Sequence, residues 1–199
     1  MITFTLFTAL ATFYFTMFIT PGPNNAMLTA SGIKFGFKRT LPHAFGIPFG
    51  HIIQISLVCF GLGTLFQKYP IIHFYLKWLC FFYLLYLGWK IFGSLSESNK
   101  ESGRPLRFYE AALFQFINPK AWVVALTAAT AFFPNEENFI VATIFVAGTA
   151  PFVCFPSICI WALFGSSIKL IIKNNKIKKI IEYLLAILLV ITAVIIVID

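Results

Sequence analysis

Two short segments of the 199-residue chain combine residue types that lipid-facing helices avoid. FITPGPNNAML, Phe18 to Leu28, sets Pro21, Gly22 and Pro23 directly before Asn24 and Asn25, and FINPK, Phe116 to Lys120, sets Asn118 and Pro119 before a lysine. Proline has no N–H to donate, so Pro21 and Pro23 free the carbonyls near Met17 and Ile19, and Pro119 does the same near Gln115. Gly22 lets the chain turn where a side chain would clash. Asn24, Asn25 and Asn118 carry donors and acceptors together, so they can pair with the freed groups or with a ligand. Lys120 lies about ten residues into an apolar block, where a charge costs at least a few kcal/mol unless it snorkels or is paired. Its candidate partners are a ligand carboxylate, Glu110 and asparagine side chains. The positive ends of half-helices at such breaks hold a carboxylate well. The chemistry these residues suit is reversible binding of a small charged molecule. The sequence offers no acid pair and no nucleophile for an enzyme, three scattered histidines but no metal site, and no glycine-rich phosphate loop, so no cofactor is expected.

The elements that position these residues are apolar on a scale no soluble domain of this length reaches. The chain is 59% hydrophobic and 11% charged, with 25 phenylalanines and a mean hydropathy of +0.87. The apolar residues fall into blocks, most of which reach the roughly 20 residues that cross a bilayer as helix. The pattern predicts an all-α integral membrane protein with spans at about 3–26, 42–66, 70–92, 109–132, 139–164 and 180–198. The first block has no basic residue ahead of it and no small-x-small cleavage pattern after it, so it reads as a retained span. Cys59, Cys80, Cys154 and Cys159 all lie in apolar blocks and read as packing residues.

The charge of +8 is a topology signal. Twelve of the fifteen basic residues fall in the first, third and fifth loops, among them Lys34, Lys38, Arg39, Lys90, Lys100, Lys169 and Lys173. The second loop holds only Lys68, and the fourth holds Glu136 and Glu137 with no base. The positive-inside rule then puts those three loops in the cytoplasm and both termini outside. Anionic lipid satisfies the surplus charge, and nucleic acid is not needed to explain it.

The polar connection SLSESNKESGRPLR splits the chain into 1–93, a linker at 94–108, and 109–199, each flanking part holding three spans. Three is odd, so the second triple enters the membrane inverted, and a substrate site is expected where inverted repeats meet. FITPGPN and FINPK share Phe-Ile-x-Pro at the head of each triple, and HAFGIPFGH in span two matches VAGTAPFVCFP in span five in combining Gly with Pro. This predicts two inverted three-helix repeats with broken first and fourth helices. Two tensions accompany it. PGPNN could simply end the first helix, although AMLTASG continues without charge to Lys34. Counting from the flanking charges also puts both breaks in the cytoplasmic half, so either the first helix begins later than drawn or the breaks are not equivalent. In span two, Gly46 and Gly50 form a small-xxx-small face for close packing, with His51 and Gln54 beside it. His51, Gln54, Glu110 and Gln115 are candidates for proton coupling or for lining a cavity, whereas His43 is expected at the membrane interface and His73 near the outer surface.

The chain resembles the LysE/RhtB family of amino-acid exporters, six-span bacterial inner-membrane proteins. The likeness rests on TPGPNNAMLTASGIKFGFKRTLPHAFGIPFGH, LKWLCFFYLLYLGWKIF and FYEAALFQFINPKAWVV, and beyond them extends in order and spacing over essentially the whole chain. It implies export of an amino acid or close derivative from the cytoplasm, coupled to the proton-motive force, with a substrate site that includes Pro21, Gly22, Pro23 and Asn24 together with Asn118, Pro119 and Lys120. In the expected mechanism Lys120 and Asn118 hold the substrate carboxylate, freed carbonyls around Met17 and Ile19 or Asn24 hold its ammonium, and the two triples rock. A small-ion exporter on the same scaffold and a non-transporting membrane assembly protein are the alternatives.

Overall fold

The computed structural model describes residues 1–69, 71–91, 104–134, 137–171 and 175–198, all of its regular structure helical. Most of the 94–108 linker, including Lys100, lies outside the described residues, as do Lys173, Glu136 and the side chains of His73, Lys90 and Lys169.

Helix α1 (Phe4–Ile19) starts at Thr3, whose hydroxyl accepts the Leu6 N–H at 3.1 Å, and stops at Thr20, because Pro21 and Pro23 cannot extend the hydrogen-bond ladder. Helix α2 (Pro23–Phe35) restarts with Pro23 at its first position, where the missing donor is harmless, and runs at 55° to α1. PGPNN is therefore an internal break. A thirteen-residue helix starts within it at Pro23, with nine of its residues buried. Gly36, with φ +83°, takes the left-handed conformation that turns the chain into α3 (Phe37–Leu57), which begins about five residues earlier than the apolar pattern suggested. A π-helical turn at Val58–Leu62, with Gly61 at φ +105°, leads to α4 (Gly63–Lys68), and α5 (Ile71–Ile91) follows.

The second half repeats the broken pattern. Helix α6 (Phe108–Phe114) gives way to turns at Gln115–Ile117, and α7 (Pro119–Ala131) restarts with Asn118 as its cap and Pro119 first in the helix. Helix α8 (Phe139–Ile171) is one continuous helix of 33 residues, so Lys169, expected in a loop, belongs to it; α9 (Asn175–Ile198) ends the described chain. Among the described residues, three helices can cross a bilayer alone by length and composition, Phe37–Leu62, Phe139–Ile168 and Lys179–Ile198, and the α1–α2 pair makes a fourth span if it is counted as one. The molecule is thus a membrane-spanning helical bundle.

Helix α8 is its centre, packed against α1, α2 and α3, while α5 and α9 pair at one side and α6 lies on α3. Two seams are tight enough to require glycine. A Cβ on Gly32 of α2 would run into the Ala162 carbonyl of α8, and one on Gly165 of α8 into the Thr29 carbonyl of α2. On α3, a Cβ at Gly50 would lie 2.5 Å from the Ala112 oxygen of α6, and one at Gly46 would strike the Phe108 oxygen. The small-xxx-small face of span two thus meets α6. The larger core runs from Leu10, Tyr14 and Phe18 through Ile47 and Val124 to Val146 and Ile158, and the Tyr14 hydroxyl donates to the Val146 carbonyl at 2.9 Å. The Ile2 N–H donates to Glu137 at 3.1 Å, so the start of α1 and the α7–α8 connection share one end of the bundle.

Candidate functional site

The break after α1 leaves a row of carbonyls, and nearly all of them are taken up. The Met17 oxygen accepts the Thr20 hydroxyl at 3.0 Å, the Phe18 oxygen accepts Asn25 Nδ2 at 2.9 Å, and the Ile19 oxygen accepts the Trp161 indole N–H at 3.1 Å. The Thr20 oxygen accepts Asn25 Nδ2 at 2.7 Å and Lys120 Nζ at 3.0 Å, and the Pro21 oxygen accepts Lys120 Nζ at 3.1 Å. Lys120 also donates to the Thr20 hydroxyl at 2.8 Å. In a medium without water each unpaired carbonyl would cost several kcal/mol, which is why one break recruits groups from α2, α7 and α8.

Lys120 is therefore paired neither with Glu110 nor with an asparagine side chain. Its ammonium sits at the C-terminal, negative end of α1 in a cage of three oxygens from Thr20 and Pro21. Gly22 makes this approach possible, since a Cβ there would lie 3.2 Å from Nζ. Glu110 stands at the start of α6, where it takes the Arg107 N–H at 2.8 Å and a fork from Arg104 at 2.5 and 2.6 Å.

The second break is held from α2 and α3. Asn24 Nδ2 donates to Gln115 Oε1 at 2.8 Å and Gln115 Nε2 returns to Asn24 Oδ1 at 3.2 Å, a reciprocal amide pair between the two breaks. The Gln115 carbonyl, freed by Pro119, accepts Gln54 Nε2 at 3.1 Å. Asn118 Oδ1 accepts the Lys120 N–H at 3.1 Å and caps α7.

Between the breaks lies a cavity of about 20 Å³, room for little more than one water. Met17 and Phe18 of α1, Gly22 to Asn25, His51 of α3, Asn118, Lys120, Ala121 and Val124 of α7, and Ile158 of α8 line it. Of the residues singled out in the sequence, Gly22, Pro23, Asn24, Asn25, His51, Asn118 and Lys120 meet there; Pro21 and Pro119 shape the breaks, Gln54 and Gln115 stand behind it, and Glu110 is apart. Residues at the positive ends of α2 and α7 and at the negative end of α1 all border this space. His51 is 2% exposed, lies 4.9 Å from the Phe18 ring, and has no partner for Nδ1; Gln54 Oε1 is equally unpaired. His43, expected at the interface, is buried at 1% exposure with neither ring nitrogen paired, because α3 extends past it to Phe37 and carries it into the bundle. Sequence reasoning missed Thr20 and Trp161. Thr20 is the residue before a proline, the one signal available, whereas Trp161 looks like any aromatic in an apolar block.

The family profile described as LysE type translocator matches residues 15–199. The cysteine/O-acetylserine efflux protein of Salmonella paratyphi A is 30% identical over 170 residues, covering 82% of this chain and 79% of that one. The proteins of the same description from Escherichia coli K12 and Shigella sonnei are each 28% identical over 166 residues, covering 81% of this chain and 83% of theirs. No solved structure matches the chain. Broken helices meeting at a polar cavity inside an apolar bundle agree with what these likenesses establish: the chain belongs to the LysE type translocator family and is a membrane transporter, not an enzyme.

Proposed function

We infer that the protein exports a small amino acid or close derivative with an uncharged side chain from the cytoplasm, driven by the proton-motive force. The observation that carries this reading is the convergence of two helix N-termini and one helix C-terminus on a single cavity, an arrangement complementary to a molecule bearing one carboxylate and one ammonium. Among the described residues Lys120 is the one of fixed charge type in the lining, with no aspartate or glutamate, so a second positive charge on lysine or arginine would find no counter-ion among them. Relatives described as cysteine/O-acetylserine efflux proteins agree with a small uncharged side chain.

In this reading the carboxylate is held by Lys120, Asn118 and the unbonded N–H groups at the start of α2. The cavity holds little more than one water, so loading an amino acid requires it to enlarge. The α1–α2 and α6–α7 pairs each count as one span, giving six spans in two inverted triples, 1–93 and 109–199, with both termini outside the inner membrane. The breaks are not equivalent in depth within their spans: α1 extends about 24 Å before its break and α6 only about 10 Å, at 1.5 Å per residue.

The test is an amino-acid panel, with L-cysteine, L-serine, L-alanine, L-lysine and L-arginine, assayed for efflux from loaded proteoliposomes with and without a pH gradient. Accumulation-independent export of the neutral members, faster with the gradient, is expected. Ion movement without competition from any amino acid would replace this reading with a small-ion exporter.

A further inference from the structure

We propose that the oxygen cage holding the Lys120 ammonium is the site of the substrate's own ammonium, so that Lys120 acts as a tethered stand-in which the substrate displaces. This rests on reading the cavity as an amino-acid site, and it adds Thr20 to that site.

The cage consists of the Thr20 carbonyl, the Thr20 hydroxyl and the Pro21 carbonyl, at 3.0, 2.8 and 3.1 Å from Nζ. Three acceptors around one primary ammonium satisfy all three of its N–H groups, and the C-terminal end of α1 adds a favourable field. A lysine Nζ and the α-ammonium of an amino acid are both primary ammonium groups with three N–H donors on a tetrahedral carbon. Three oxygens set to receive one are set to receive the other.

The other carbonyls that could hold an ammonium are occupied by groups that cannot readily leave. Met17 O is bonded by the hydroxyl of its own chain three residues on, Phe18 O by a buried asparagine, and Ile19 O by the Trp161 indole. Lys120 is the exception, a long flexible side chain that lines the cavity while Thr20 and Pro21 behind it do not. Its departure would do three things together: open the cage, enlarge a cavity that holds little more than a water, and bring a cation to the substrate carboxylate. Lys120 and the cage thereby satisfy one another, without leaving either an unpaired ammonium or bare carbonyls in the membrane.

Two measurements on the purified full-length chain test this. In counterflow with L-cysteine as probe, Thr20→Val should raise the half-saturating concentration at least tenfold with a smaller change in maximal rate, and Thr20→Ser, which keeps the hydroxyl, should recover most of the loss. An unchanged half-saturation in Thr20→Val overturns the proposal. Independently of transport, ethylammonium should saturably raise the melting temperature of Lys120→Met, whose cage is vacant, and leave wild type and the Lys120→Met/Thr20→Val double variant unmoved. No difference among the three overturns it as well. If no amino acid is exchanged by wild type while ethylammonium still distinguishes the variants, the functional reading fails and the cage stands.

Discussion

At the scale of single residues, the breaks are held by side-chain amides, a hydroxyl, an indole and one ammonium. Asn25 is buried and ties the Phe18 carbonyl of α1 and the Thr20 carbonyl just beyond it to α2 through a single Nδ2 group. Replacing it by leucine, of similar size without donors, takes this donor from the Phe18 carbonyl and leaves the Thr20 carbonyl to Lys120 alone, and should lower stability by about 1–3 kcal/mol, read as a fall in melting temperature in detergent. Lys120→Met should abolish amino-acid export while the protein still inserts; counterflow at the wild-type rate would remove Lys120 from the site. His51 lines the cavity without a partner for Nδ1, which makes it the side chain proposed to carry the coupled proton. His51→Gln is expected to keep exchange between equal internal and external substrate but to lose acceleration by a pH gradient.

Among elements, the tight seams join helices from opposite sides of the 94–108 linker: α2 to α8 through Gly32 and Gly165, and α6 to α3 through Gly46 and Gly50. Triples that rocked as whole bodies would have to part these seams, so α2 is expected to travel with α8 and α6 with α3. The Asn24–Gln115 pair lies between the two assemblies. A disulfide between Asn24→Cys and Gln115→Cys, in a chain whose four native cysteines are replaced, should stop export and be reversed by reductant. The seams also predict a contrast among glycines. Gly165→Ala forces a methyl against a backbone carbonyl and should cost about 1–3 kcal/mol, whereas Gly148, whose nearest neighbour would stand 3.9 Å away, should accept alanine with no loss of melting temperature.

For the whole molecule, the proposed orientation rests on charge. The Ile2 N–H meets Glu137 in the α7–α8 connection, and the basic residues Lys34, Lys38 and Arg39 lie around the turn from α2 into α3. Single cysteines at Lys38 and Lys176 are expected to react with a membrane-impermeant maleimide only in inverted vesicles, and one at Asn138 only in intact cells. Labelling of Lys38 from outside would reverse the orientation.

The sequence alone was enough for the class of molecule, the two breaks and most of the residues around the cavity. These follow from local physics: apolar length matched to a bilayer, prolines without a donor, and a lysine that hydrocarbon will not tolerate alone. It also pointed to Gly46 and Gly50 as a packing face, without saying that α6 lies on it. Only the tertiary structure decided partners. Lys120 read as a group waiting for a carboxylate, and a hundred residues away the end of α1 supplied oxygens that satisfy it first. His43 read as interfacial because the apolar run begins just before it, yet α3 starts earlier and buries it. Thr20 and Trp161 gave almost no signal, because which carbonyl a distant hydroxyl or indole will serve depends on how helices cross. That crossing is fixed by side-chain volumes summed over whole seams, a quantity no local motif records.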